Sequence, residues 1–335
     1  MRKQFVSNSL ALVALGAAIV AGANTLQAGE EPLQGNLAPR AAASQLWLVS
    51  TRALPHGSQH SSRRLVPQVE LYEAGDVWRP SSLDELVAAR DSRLTTIVLV
   101  HGNDTVDPRA RSKGLGIYQA LAENAERPLR LIVWSWPADY LGGTLRHDAR
   151  VKAERADVDA YYLAQFIGQL DPDEALSLVG YSFGARVVSG ALQLVGGGSL
   201  AGRISGRNDP RAPIRAVLLA AAIDDDWLLP GHRYGHALSV VERLVVLVNP
   251  QDRVLRFYRF LAPGTGAAAL GAHGLPSPAG LEPHLAKIEQ IDVGPLVGVQ
   301  HGWSSYARCP DILEQIRRET LLGANRRSQS GLGAR

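Results

Sequence analysis

Five consecutive residues, Gly180-Tyr181-Ser182-Phe183-Gly184, carry a pattern in which a serine can act as a nucleophile. A hydroxyl attacks a carbonyl carbon only when it is held exposed beside a base. The Gly-x-Ser-x-Gly pattern achieves this with a sharp strand-to-helix turn, and its glycines give the backbone room to make that turn. Leu176 to Gly180 reads as an apolar strand, and Gly184 to Val195 as a helix that stops at Gly196-Gly197-Gly198. Ser182 is therefore the candidate nucleophile, with Gly180 and Gly184 as the elbow. The bland reading is a glycine-rich turn carrying an ordinary surface serine.

Acyl transfer also needs donors for the developing oxyanion. The amide of the residue after the nucleophile, Phe183, is one. His101-Gly102-Asn103 follows the apolar run Leu94 to Val100 and offers Asn103 as the second. A serine nucleophile further needs an imidazole and an acid to orient it. Asp252 comes just past the apolar run Leu244 to Val248 and is the expected acid. Asp224, first of the run Asp224-Asp225-Asp226, is its rival; that run otherwise reads as a solvated loop. Among nine histidines, His301 lies a few residues beyond the last candidate strand and is the expected base, whereas His273 and His284 read as surface residues. Three adjacent carboxylates do not converge easily on a metal, and no Cys/His cluster has zinc spacing, so no metal is expected.

These residues need a scaffold. Candidate strands are Leu46–Ser50, Gln68–Tyr72, Thr95–Val100, Leu129–Ser135, Leu176–Gly180, Ile214–Ala221, Leu244–Val248 and Ile288–Val293. The middle ones are apolar throughout, as parallel strands covered on both faces should be. Arg146 to Leu170 reads as a long amphipathic helix ended by Asp171-Pro172. The alternation predicts an α/β fold with a mostly parallel central sheet and helices on both faces. Residues 196–212 read as a glycine- and arginine-rich surface loop. Residues 262–283, rich in Gly, Ala and Pro, read as a substrate-covering insertion or a plain loop. Trp134 and Trp136 read as core packing before a substrate platform.

With these motifs in place the chain resembles the α/β-hydrolase superfamily from about Ser44 to Arg318, and within it a lipase-like bacterial branch. The resemblance rests on Ser50-Thr51-Arg52 after the first strand, Trp134-Ser135-Trp136-Pro137 after the fourth, and the elbow around Ser182. The chain departs from that branch at Tyr181, where histidine is frequent, at Phe183, where methionine is frequent, and at Ala138, where serine often follows the proline. The resemblance implies an esterase-like activity without a cofactor, and names no substrate.

Composition sets the remaining bounds. The chain has 335 residues, 46% hydrophobic and 20% charged, which is ordinary globular composition. A net charge of +3 without a basic, aromatic stripe argues against nucleic acid as a partner. Arg2-Lys3, the apolar run Leu10 to Val20 and the small residues up to Ala28 read as an export signal, cleaved after Ala23 or Ala28. An uncleaved anchor is the alternative. Residues 29–43 read as a linker, 44–320 as the catalytic domain and 321–335 as a disordered basic tail. Cys309 is the only cysteine, so no intrachain disulfide forms, and it reads as a buried small hydrophobe. The expectation is an exported serine hydrolase acting on a small-molecule or lipid-like acyl substrate. The alternatives are a silent hydrolase-fold binding or scaffold protein, and a peptidase or acyltransferase with the same triad.

Overall fold

The computed structural model describes residues 44–321 except 57–64, 74, 90, 92–93, 124, 126, 206–213, 262–266 and 277–280. The expected export signal, the linker and nearly all of the basic tail lie outside the described residues.

Among the described residues nine strands form one sheet: β1 (Gln45–Ser50), β2 (Gln68–Glu73), β3 (Val77–Ser81), β4 (Thr95–Val100), β5 (Leu129–Ser135), β6 (Leu176–Tyr181), β7 (Ile214–Leu219), β8 (Val241–Val248) and β9 (Ile288–Asp292). Their spatial order is β9-β8-β7-β6-β4-β5-β1-β2-β3. Every pairing from β1 through to β9 is parallel; only β2 and β3, at one end, are antiparallel. This mostly parallel sheet with helices on both faces fits a fold of the α/β-hydrolase type.

Successive strand residues point to opposite faces, so a strand that is apolar throughout feeds two cores. Trp47, Val49, Val98, Val100, Ile132, Trp134 and Leu178 enter one core. Leu46, Leu48, Ile97, Leu99, Leu131, Val133 and Val179 enter the other. The first is closed by helices α1 (Leu83–Ala88), α3 (Leu145–Ile167) and α4 (Phe183–Val195), the second by α2 (Asp107–Ala122) and α5 (Pro310–Leu321). Burying a Leu, Val or Ile side chain contributes about 1.5–3 kcal/mol, so both cores draw on most of the sheet.

A polar cluster on one carboxylate holds α4 in place. On its inner side Arg186 makes a two-pronged bond to Asp157 of α3, at 3.0 and 3.1 Å, and lies over the Trp227 ring. Arg233 reaches the same carboxylate at 2.7 Å. A carboxylate this far from water is tolerable because two guanidinium groups replace its hydration.

The structure departs from the sequence reading in several places. Val77–Ser81 is a ninth strand that sequence periodicity did not reveal, because Pro80 and Arg79 break its apolar pattern; proline is tolerated because β3 is an edge strand. The strand from Ile214 stops at Leu219, since Ala220 turns to φ 46°. The stretch 196–212 contains a small hairpin, Ser199–Leu200 with Arg203–Ile204, while its remainder from 206 lies outside the described residues. Much of the described part of 262–283 is core, while His273, Pro276, Glu282 and Pro283 are exposed. Ala269, Leu270, Ala272 and Leu275 are buried, and the Gly271 amide donates to Ala221 O while its carbonyl accepts from Asn249. Its described residues fill the gap beyond β7 and β8, and residues 262–266 and 277–280 lie outside the described residues. Cys309 is half-buried, not buried, because it sits at the entry to α5 and only its inner side meets the second core.

Helix α2 lies against β5 with a glycine at the contact. A Cβ on Gly114 would stand 2.2 Å from Val133 Cγ2, and a β-branched strand residue cannot swing away. Gly114→Ala should lower stability by about 1–3 kcal/mol through overpacking, despite alanine's better helix propensity. A shift in the urea midpoint at unchanged slope is the measurement; an unchanged or raised midpoint would contradict this packing.

Candidate active site

Ser182 follows β6 and precedes α4 with φ 54° and ψ −120°, a conformation L residues rarely adopt. Three backbone bonds hold it there: its amide donates to Leu219 O at 2.9 Å, and its carbonyl accepts from Ala185 at 3.0 Å and Ala222 at 3.2 Å. The elbow glycines are required by close approach. A Cβ on Gly184 would meet Val100 O at 2.1 Å, and one on Gly180 would meet Ala185 Cα at 2.8 Å. Gly102 faces the same turn, since its Cβ would come within 2.9 Å of Ser182 Cβ.

Three side chains spread over 119 residues of sequence meet in one hydrogen-bonded line. Ser182 Oγ lies 3.0 Å from His301 Nε2, and His301 Nδ1 lies 2.7 Å from Asp252 Oδ2. Asp252 is fully buried, and its other oxygen accepts the amides of Val254 and Leu255 at 2.9 and 3.0 Å. Both carboxylate oxygens are thus matched to donors, which fixes the carboxylate in place beside the imidazole. Such a line can pass a proton from hydroxyl to imidazole while the carboxylate balances the charge that forms.

Asp224, the rival acid, is placed elsewhere. It is 1% exposed and accepts the Tyr258 hydroxyl at 2.8 Å, so the expected solvated loop is in fact buried at its first residue. The cause is tertiary: Asp224 bridges Ala269 in the segment that fills the β7–β8 gap. Burial, with Asp224 adding to it, pushes the Tyr258 phenol well above its ordinary range. His273 is exposed and His284 half-buried, and neither joins the line.

The loop carrying Asn103 is gripped from below. Arg52 donates to Thr105 O, to Ser135 Oγ at 2.9 Å and to Asp139 at 2.5 Å, and pairs with Asp107 at 2.8 Å. Thr105 Oγ1 receives Lys113 Nζ at 3.0 Å and donates to Asn103 O at 3.2 Å. Trp136 donates its indole N–H to His101 O at 2.8 Å. His101 is buried, its ring stacked on Trp136, and burial drives its pKa well below the ordinary imidazole range, which keeps it neutral. Asn103 itself is exposed, and Phe183 opens α4, where an amide lacks an intrahelical acceptor. Trp134 and Trp136 are both fully buried, so they are packing, not a substrate platform.

Two residues that position the line were not singled out from sequence. Tyr181 donates its hydroxyl to the His301 carbonyl and packs its ring 5.2 Å from Trp303; burial raises its pKa well above 10, so it stays a donor. Asn249 donates to Gly298 O at 2.8 Å and accepts the Gln251 amide at 3.0 Å, tying the loop of His301 to that of Asp252. The available signals were the departure at Tyr181 and the Asn249-Pro250 turn directly after β8.

No protein-family model and no curated protein matches the chain. Among solved structures it is similar to an inhibited form of esterase B from Lactobacillus rhamnosis, at 13% identity over 96% of this chain and 97% of that one, with a TM-score of 0.46. A tributyrin phosphonate-inhibited form of that esterase matches at 11% identity over 97% and 98%, with a TM-score of 0.46. The catalytic core domain of acetyl xylan esterase from Trichoderma reesei matches at 13% identity over 70% of this chain and 98% of that one, with a TM-score of 0.33.

Proposed function

We propose that this protein is an exported serine hydrolase that cleaves an ester or related acyl bond through an acyl-enzyme. The reading is carried by one observation: a strained elbow serine, a histidine and a buried aspartate aligned at 3.0 and 2.7 Å. Ser182 Oγ attacks the acyl carbon as its proton passes to His301 Nε2. Asp252 holds the ring with Nδ1 protonated and stabilises the imidazolium. The amides of Phe183 and Asn103 receive the oxyanion. As the acyl–oxygen bond breaks, His301 returns the proton to the leaving alkoxide, and the alcohol departs. Water then attacks the acyl-enzyme, giving its proton to His301, and the released serine recovers it. No residue in this sequence of steps requires a metal or cofactor.

The nucleophile is tested by labelling. Ser182→Ala should remain folded but lose fluorophosphonate labelling and hydrolysis of p-nitrophenyl esters of graded chain length. Labelling retained by a folded Ser182→Ala protein would remove the serine from its role. A wild-type protein that neither labels nor turns over would point to a silent binding protein instead.

The two acids separate by different readouts. Asp252→Asn should lower kcat by a factor on the order of 10⁴, as loss of the orienting acid does in a related triad. Asp224→Asn should leave kcat within a few-fold but lower the melting temperature, because it weakens a buried bond worth about 1–2 kcal/mol. Kinetics and melting of both variants at one pH check this, and a dead Asp224→Asn beside a near-normal Asp252→Asn would reverse the assignment.

Export is supported by Arg2-Lys3 and the apolar run to Val20. Among the described residues no helix is long and apolar enough to cross a membrane. N-terminal sequencing of protein recovered from the cell envelope should begin near Asn24 or Gly29, whereas an intact Met1 on cytoplasmic protein would contradict export.

A further inference from the structure

The segment after Asp252 repeats with a period of three. Leu255–Phe257 is a 3₁₀ turn that runs directly into the helical turn Tyr258–Leu261, so residues three apart share a face. Leu255 and Tyr258 face inward at 3% and 6% exposure. Arg256 and Arg259 form a second face in solvent, with Arg253 preceding them, also exposed. Phe257 and Phe260 form the third, their rings 6.4 Å apart and Phe260 47% exposed. None of the three arginines has an acidic partner among the described residues, and Arg259 lies over the Phe260 ring at 4.9 Å.

A second loop continues this ridge. Arg146, at the start of α3, donates to Phe260 O at 3.2 Å. The same end of α3 holds the exposed pair Tyr140 and Leu141: the Leu141 amide donates to Asp148 at 2.9 Å, and Lys152 lies 5.7 Å from the Tyr140 ring. Both loops leave the carboxyl ends of their strands, β5 and β8, and so stand at the sheet edge that carries Ser182. Exposed rings between unpaired arginines suit the boundary between water and an anionic amphiphile layer, where rings enter the acyl region and guanidinium groups meet headgroups. Leu141 has no stacking surface to offer a nucleobase, so a lipid surface fits better than nucleic acid.

We propose that the ridge formed by Arg146, Arg256, Arg259, Tyr140, Leu141 and Phe260 docks the protein on an anionic phospholipid surface, and that the hydrolase draws its acyl substrate from that surface. The docking stands on the ridge alone; the origin of the substrate also rests on the reading of Ser182 as nucleophile.

The test is a local one, so that the apolar N-terminal run cannot supply the signal. In the full-length chain with Cys309→Ser, an environment-sensitive NBD fluorophore is attached at Phe260→Cys. Vesicles of phosphatidylglycerol mixed with phosphatidylcholine should shift its emission to the blue, and phosphatidylcholine alone should not. The same label at Glu123→Cys, on the opposite edge of the sheet, should not respond. Since each arginine near an anionic surface contributes about fivefold in partition, Arg256→Gln with Arg259→Gln should raise the lipid needed for half the shift by about twenty- to thirtyfold. Turnover of soluble p-nitrophenyl butyrate by that double variant should match wild type. An unshifted label at 260, an equal shift on neutral vesicles, an equal response in the double variant, or a shift produced by polyuridine would overturn the docking. Docking without any soluble-ester turnover in wild type would instead remove the hydrolase reading and leave the surface assignment intact.

Discussion

A serine at φ 54° and ψ −120° costs about 1–3 kcal/mol, and that strain persists only where its surroundings leave no alternative. Here they leave none. The chain leaving β6 must turn into α4 while passing against β4 so closely that even a methyl group at Gly184 would overlap the Val100 carbonyl. Bonds to Leu219, Ala185 and Ala222 tie the turn to the neighbouring strand and to its own helix. Arg186, one turn into α4, is locked to Asp157 of α3, so the helix cannot slide to relieve the elbow. The serine is thereby held by its own backbone, and the loops after β8 and β9 bring Asp252 and His301 to it.

Those loops are held by neutral and charged hydrogen bonds at the carboxyl edge of the sheet, not by apolar contact alone. Asn249 fastens the loop of His301 to that of Asp252, and Tyr181 fastens it to the strand of the nucleophile. On the other side, Arg52 joins the ends of β1 and β5 to the loop of Asn103. Below it Asp159, fully buried, accepts Thr51 at 2.5 Å and Trp134 at 3.2 Å, with His56 Nε2 at 2.5 Å. A buried carboxylate left with fewer partners would be costly, so these bonds act as a set. The short motifs around Thr51-Arg52 and Trp134-Ser135-Trp136 thus supply the frame of the site and not its reacting groups.

The same loops divide their labour by face. The segment after Asp252 turns Leu255 and Tyr258 into the core, which anchors the aspartate, and leaves arginines and phenylalanines outside. The loop after β5 buries Trp136 and Ala138 while exposing Tyr140 and Leu141. In the segment after Asp252, rigid anchoring within and an apolar, basic surface without are compatible because a three-residue period separates the two sets of side chains.

Much of this was legible in the chain itself. Eight of the nine strands were legible, the central ones most plainly, because a strand buried on both faces leaves a continuous hydrophobic signature. The elbow around Ser182 was legible because its glycines answer a local steric need. The positions of Asp252 and His301 relative to the last strands were legible from spacing alone, since short loops leave little freedom. Tertiary structure alone decided the rest. Edge strand Val77–Ser81 has no buried face to mark it in sequence. Asp224 looked solvated because nothing local reveals that Ala269, forty-five residues on, will cover it. Residues 269–275 lacked periodicity because they bridge two diverging strands, where packing is set by neighbours and not by a repeating face. The roles of Arg52, Tyr181 and Asn249 arise from partners that only the folded chain brings within hydrogen-bonding distance.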